Sequence, residues 1–308
     1  MWVDKIAAVE TACLGLRVAG LGFWLDVRGS GLCLAVPPGH AQFLARETSE
    51  VAGQFAAGPA SEVFDCLVLR VRSAPPPIGP GGKSLLYRTE NRELWLDEAG
   101  RYVFCAPRQA PPRQAIIEPD FSSGEIVGEF ADDGEGLYPL QGLDNVILSN
   151  WLASYGDVIL HASGVVLDGK GYAFVGPAGV GKSTLAAHLA QRHGALVLGE
   201  DQVVLRHLGG RFWIYGTPWH LNPAMCSPQG IPLESLFFLE RTGSARVAPC
   251  ASVDGVARLL QTAFVPYYNR AGVARILDRA ALLAEQVPLG TLSYCLGDDV
   301  AGLILNTR

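Results

Sequence analysis

No apolar stretch of this 308-residue chain is long and uninterrupted enough to cross a membrane as a helix. The nearest one, residues 13–36, is broken by Arg17, Asp26 and Arg28. Its glycines at 20, 22, 29 and 31 suit turns between short strands. No cleavable signal pattern precedes it, so the expectation is a soluble, cytoplasmic protein with no membrane partner. Cysteine pairing is also lacking. The seven cysteines, at 13, 33, 66, 105, 226, 250 and 295, include no Cys-x-x-Cys pair and make an odd total. They read as reduced core thiols, which argues against a disulfide framework or a zinc site. Basic surface is missing too. The formal net charge is −6 and the pI near 5.5, and local arginines such as Arg108 and Arg113 are too few to reverse that, so nucleic acid is not an expected partner. With 49% hydrophobic and only 18% charged residues, the chain is expected to be globular and not disordered.

Lysine is the scarcest basic residue, with four (Lys5, Lys83, Lys170, Lys182) against twenty arginines. One of the four stands where a nucleotide-binding motif demands it. Residues Gly176-Pro177-Ala178-Gly179-Val180-Gly181-Lys182-Ser183-Thr184 fit the phosphate-loop pattern of Gly, four residues, Gly-Lys-Ser/Thr. The apolar run Tyr172-Ala173-Phe174-Val175 reads as a buried strand entering the loop, and Leu185, Leu189 and the alanines at 186, 187 and 190 predict a helix leaving it. Glycines let main-chain N–H groups converge on a phosphate, and the helix N-terminus adds partial positive charge. In such a loop Lys182 reaches the β- and γ-phosphates and Ser183 supplies a Mg²⁺ ligand, so ATP and Mg²⁺ are the expected cofactors.

Before the loop, the pattern predicts short strands at 22–27, 32–36, 66–71, 84–88, 93–97 and 101–105, the last two joined through Glu98-Ala99-Gly100. The run Ser73-Ala74-Pro75-Pro76-Pro77, with Gly79-Pro80-Gly81-Gly82, reads as a surface loop or linker. No catalytic constellation stands out, so residues 1–140 are read as a smaller, mainly β (α+β) accessory or docking domain and 141–308 as the catalytic domain. Helical spacing over 142–155 leads into apolar runs at 158–163 and 164–167, and Asp168-Gly169 then predicts a hairpin into the loop strand. Beyond the loop helix, a strand at 195–198 ends in Gly199-Glu200-Asp201, followed by strands at 203–206 and 212–215 about a Gly209-Gly210 turn. Acids at that strand tip are placed to face Mg²⁺ and the γ-phosphate. The loop Tyr215-Gly216-Thr217-Pro218-Trp219-His220 either lines a site or packs. A strand at 235–240, helices at 253–264 and 273–287 and a last strand at 289–296 complete the pattern. Arg270, on the connector, either touches phosphate or is solvated.

Residues 160–206 resemble the catalytic domain of bacterial HPr kinase/phosphorylase, whose α/β fold is shared with the core of ATP-dependent phosphoenolpyruvate carboxykinase. The likeness rests on His161 in a Leu-His strand, the turn, the loop ending Gly181-Lys182-Ser183, and the acidic pair Glu200-Asp201. The later run through Gly216-Thr217-Pro218-Trp219-His220 looks more like HPr-kinase-related proteins, some of which act on peptide precursors. The resemblance implies that Lys182 and Ser183 hold phosphate and metal, that Glu200 and Asp201 lie at the Mg²⁺, that Asp201 accepts the proton of an attacking serine hydroxyl, and that His161 tunes it. It also implies a homo-oligomer. The sequence departs from the family in Glu200, where the family has Asp, in Thr184, where it usually has Glu, and in lacking a Glu-Ile-Arg-Gly-Leu-Gly segment. The expectation is a Mg²⁺-ATP-dependent kinase acting on a protein or peptide hydroxyl. The alternatives are a small-molecule kinase of the same fold or a nucleotide-sensing module without transfer.

Overall fold

A computed structural model describes residues 7–9, 13–45, 65–76, 84–109, 112–130, 136–220, 222–240, 245–295 and 299–306. The protein is a mixed α/β chain with large sheets, and it separates into two compact units that divide between Trp151 and Leu152. Among the described residues no helix is long and apolar enough to cross a membrane.

In the first unit, β1 (Ala7–Val9) pairs with β4 (Leu34–Val36). A nine-stranded sheet holds β2 (Cys13–Val18), β3 (Leu21–Asp26), β5 (Leu44–Ala45), β6 (Cys66–Ser73), β7 (Ser84–Arg88), β8 (Glu93–Leu96), β9 (Tyr102–Ala106), β10 (Arg113–Ile117) and β11 (Ser123–Gly128), in the order β5-β2-β3-β6-β11-β10-β9-β8-β7. The hairpin expected about Glu98-Ala99-Gly100 is present between β8 and β9. β10 and β11 were not anticipated: much of each is buried on both faces, so neither shows the alternation of polar and apolar residues that marks a half-buried strand. Helix α1 (Asp144–Tyr155) follows, as its spacing predicts, and its Trp151 stacks on Phe121 and meets Phe23 edge to face. Residues 77–83, most of the proline- and glycine-rich run, lie outside the described residues.

The second unit is built on β12 (Val158–Leu167), β13 (Lys170–Val175), β14 (Leu196–Gly199), β15 (Gln202–Leu208), β16 (Arg211–Gly216), β17 (Gly230–Glu240), β18 (Arg246–Pro249) and β19 (Leu289–Ser293). The two apolar runs at 158–163 and 164–167 form one ten-residue strand. Gly164 does not break it. Instead, its missing side chain leaves room for Ile214 and Val203, which a Cβ would meet at 2.8 and 2.9 Å. The turn to β13 is the two-residue Asp168-Gly169 connection, with φ of 51° and 75°, as in the hairpin turns that match strand twist. The first half of β12 pairs with β15, and its second half pairs with β13 and β14. β13 then runs parallel to β17, and β17 parallel to β19. The C-terminal ends of these three strands therefore share one edge, which carries Gly176, Glu240 and Ser293.

Helices cover both faces. Leu185, Ala186 and Leu189 of α2 (Lys182–His193) pack with Phe174, Phe237, Leu239 and Leu292, joined by Val300 and Ile304 of α5 (Val300–Leu305). On the other face, Leu259 of α3 (Ser252–Thr262) and Ile276, Ala280 and Leu283 of α4 (Arg270–Gln286) pack with Leu160, Ala162, Val175 and Phe238. Each fully buried large apolar side chain contributes about 1.5–3 kcal/mol, so both layers hold the strand that feeds the loop.

Close packing at the base of the β16–β17 connection yields a stability prediction. A Cβ on Gly216 would overlap the main-chain carbonyl oxygens of Ser227 and Leu198, whereas one on Gly210, at φ +79°, meets nothing within 4 Å. Gly216→Ala should cost about 3 kcal/mol or more through backbone displacement, and Gly210→Ala about 1 kcal/mol through its left-handed conformation alone. Urea denaturation of both variants checks the ranking.

Candidate functional site

The loop 176–181 leaves β13 at the shared strand edge and ends at Gly181, the N-cap of α2, with φ +114°. An L-residue is strained there, and a Cβ would lie 2.6 Å from the Tyr294 hydroxyl oxygen. That hydroxyl donates to the Gly181 carbonyl at 2.8 Å, tying the end of β19 to the loop. Pro177, Ala178 and Gly179 are exposed, and no side chain caps α2. The first turn of any α-helix has N–H groups without helical acceptors, and the helix dipole makes that end favourable for an anion.

Lys182 begins α2 yet is buried, 6% exposed, because its side chain folds back under the loop. Nζ donates to the carbonyls of Gly176 (2.8 Å) and Pro177 (3.1 Å), and lies 3.1 Å from Nε2 of His161. Burial pushes this ammonium below its ordinary range, and the Asp201 carboxylate opposes that shift. The other imidazole nitrogen of His161, Nδ1, is 3.1 Å from Oδ1 of Asp201. Lysine has only protons to give, so Nε2 must be the acceptor, and Nδ1–H then donates to the carboxylate. Asp201, His161 and Lys182 thus form one hydrogen-bonded chain from a half-buried acid to the floor of the loop.

β12 and β14 explain how these residues meet. His161 pairs with Gln202 in the β12–β15 register, which sets it beside the bend holding Glu200 and Asp201, and Ala162 N–H donates to the Asp201 carbonyl at 3.0 Å. Ala162 in turn pairs with Val175, the residue before the loop. The Glu200 carbonyl accepts two hydroxyls, from fully buried Ser163 (2.8 Å) and from exposed Ser183 (3.1 Å). The two neighbouring acids point to different partners. Asp201 faces His161, while Oε1 of Glu200 accepts the main-chain N–H of Asn222 at 3.1 Å. Thr184 is exposed on the first turn of α2, and Arg270 is exposed on the first turn of α4. In the 215–220 loop, Thr217 is fully buried and its hydroxyl donates to the Gln202 carbonyl. His220 lies against Gly199, whose Cβ would meet the ring at 3.1 Å. Ser163 and Tyr294 escaped sequence reading. Ser163 could have been found two residues after His161 on the same strand, but Tyr294 is 113 residues from its partner and carries no local signal.

The loop fits a phosphate: its glycines leave an open main-chain surface, a cation stands beneath it, and a hydroxyl and a carboxylate flank it. Among the described residues no group of three or more His, Cys, Asp and Glu could enclose a metal ion by itself. The available oxygens, Ser183 Oγ and the Asp201 carboxylate, instead suit Mg²⁺, which commonly keeps one or two protein ligands alongside phosphate oxygens and water. A cavity of about 900 Å³ lined by Phe237, Val247, Leu289, Gly290 and Leu303 lies toward the opposite, N-terminal end of β19 and includes none of these polar groups.

No family model matches the chain, and no curated protein matches it. Among solved structures the chain is similar to the Hpr(Ser) kinase/phosphatase from Coxiella burnetii, at 15% identity over 47% of this chain and 85% of that one, with a TM-score of 0.26. At that value the likeness does not establish a common fold.

The hydrogen-bonded chain predicts a tautomer. In ¹⁵N NMR near pH 8, His161 should show a protonated Nδ1 and a lone-pair Nε2, and Lys182→Met should remove the partner of Nε2 and shift its resonance. The opposite tautomer in the wild type would break the link between Asp201 and Lys182.

Proposed function

We propose that the protein is a Mg²⁺-ATP-dependent kinase that transfers the γ-phosphoryl group to a hydroxyl, of the serine kind, on a protein or peptide. The observation that carries this reading is the Asp201–His161–Lys182 chain, which joins a half-buried carboxylate to a glycine-loop lysine. When bound, ATP supplies the phosphoryl group and Mg²⁺ offsets its charge. The loop N–H groups and Lys182 bind and orient the phosphates, and Lys182 exchanges carbonyl contacts for phosphate oxygens at little cost, because its ammonium is already desolvated. Ser183 Oγ and Asp201 are the oxygens that would hold the metal. Asp201 accepts the proton of the acceptor hydroxyl, and Nδ1–H of His161 keeps its carboxylate turned toward the loop. Phosphoryl transfer needs chiefly positioning, charge neutralisation and a group to orient the nucleophile, and these residues supply all three.

The test is incubation with γ-labelled ATP, Mg²⁺ and lysate from the source cell, with Lys182→Ala and Asp201→Asn in parallel. Label is expected on a macromolecule or peptide. Lys182→Ala should lower ATP affinity at least about tenfold and abolish transfer, through the loss of a phosphate-binding cation. Asp201→Asn should lower transfer about 10²–10⁴-fold, the range for a general base, and should raise the Mg²⁺ concentration needed for ATP binding, because a metal ligand is lost with it. Normal transfer by Asp201→Asn would remove the base assignment. Label on a small metabolite would make the protein a small-molecule kinase, and ATP binding without any transfer would make it a nucleotide-sensing module.

A further inference from the structure

The two adjacent acids at the tip of β14 divide in direction, and that division assigns Glu200 a task of its own. Its carboxylate accepts the main-chain N–H of Asn222 at 3.1 Å, whereas that of Asp201 faces His161. Asn222 is itself a structural junction. Its side-chain oxygen accepts from Ala224 N–H at 3.0 Å, its carbonyl accepts from Met225 N–H at 2.9 Å, and together they set the short helical turn Pro223–Met225. Just beyond, Cys226 bridges to Gly199 and Ser227 N–H donates to the Leu198 carbonyl at 3.0 Å. Burial, with the negative charge of Glu200 adding to it, pushes the Cys226 thiol up to about 11, so the Glu200 charge is felt on this side of the tip.

The connection after β16 is therefore attached to the acid tip in two ways. At its base, Gly216 and Ser227 lie in close main-chain contact with Leu198. Further out, where His220 stands half-buried beside Gly199, the attachment to the tip includes one carboxylate hydrogen bond, from Glu200. The Asn222 hydrogen bond and the Cys226 bridge therefore brace the bend that holds Asp201, the base of the proposed reaction.

We propose that Glu200 is a positioning residue: its carboxylate latches the segment that begins at Asn222 to the strand tip, and so fixes the bend from which Asp201 reaches His161. This rests on the kinase reading for the task of Asp201, but the latch itself does not. A carboxylate oxygen is needed and a negative charge is not, so an amide, which keeps an acceptor oxygen, can replace it.

The experiment compares wild type, Glu200→Gln and Glu200→Ala by three readouts. The first is hydrogen exchange at the Asn222 amide in the protein without added ligand. Glu200→Ala should speed that exchange at least about threefold, and Glu200→Gln should restore it toward wild type, because only the latter offers an oxygen to the N–H. The second is the Mg²⁺ concentration needed for half-maximal ATP binding, which neither substitution should move more than about twofold, since no metal–ligand bond is lost. The third is label transferred from γ-labelled ATP into lysate macromolecules, which should fall at least about tenfold in Glu200→Ala and recover in Glu200→Gln. Unchanged Asn222 exchange in Glu200→Ala would overturn the latch. A tenfold rise in the Mg²⁺ requirement in Glu200→Gln would overturn it in favour of a metal ligand. Absence of label in the wild type would defeat the kinase reading, and the exchange and Mg²⁺ readouts would still decide the latch.

Discussion

The register of β12 is the constraint on which the site depends. One ten-residue strand pairs His161 with Gln202 on one neighbour and Ala162 with Val175 on the other, so a single alignment brings the histidine to both the acid tip and the loop. Because side chains alternate, a slip of one residue would carry His161 to the opposite face and break its contacts to Lys182 and Asp201 together. Two features hold the alignment. The Asp168-Gly169 turn admits one hairpin register, and both faces of the strand are buried, so a slipped register would expose apolar residues or bury polar ones.

Charge in the site is arranged around the cost of burying the Lys182 ammonium. Two loop carbonyls and an imidazole nitrogen take its three protons, and Asp201, one imidazole away, supplies the compensating negative charge. The lysine has therefore already left bulk water, so a phosphate that replaces those acceptors gains Coulomb energy without paying the lysine's desolvation again. Tyr294 and Ser163 support the arrangement from outside. One hydroxyl, from the residue that follows β19, holds the Gly181 carbonyl, and the other, from β12, holds the Glu200 carbonyl. Placing these donors on a strand or directly after one gives the loop and the acid tip a rigid frame.

The fold brings the pieces together at the edge where β13, β17 and β19 end. In open α/β sheets the carboxyl ends of parallel strands are where ligands bind, because loops and helix N-termini gather there. The antiparallel β12, β15 and β16 extend the same unit and carry His161, the acid tip and the Gly216–Ser227 contacts. A mixed sheet thus combines a parallel half that presents the loop with an antiparallel half that presents the acid and the histidine. Glu200 and Asp201, side by side in sequence, serve different neighbours because a bend separates the directions of their side chains.

The local pieces were legible in the sequence because local chemistry specifies them. Glycine spacing and a lysine marked the loop between Val175 and α2, Asp-Gly and Gly-Gly marked the hairpins, helical spacing marked α1, and a run of leucines and alanines marked α2. Lys182 and Asp201 could be named as candidates for the same reason, each standing next to a recognisable loop or strand tip, whereas His161, inside an apolar strand, was marked only by the family resemblance. What the tertiary structure alone decided was direction and pairing. Sequence order places Glu200 and Asp201 together, but packing against the Asn222 segment and against β12 sends one carboxylate each way. The joining of two apolar runs into β12, the strands β10 and β11, and the Tyr294 contact to Gly181 depend on partners tens to more than a hundred residues away. Such contacts leave no periodic trace in the chain, because burial on both faces removes alternation and a hydrogen bond between distant residues imposes no pattern on either one's neighbours.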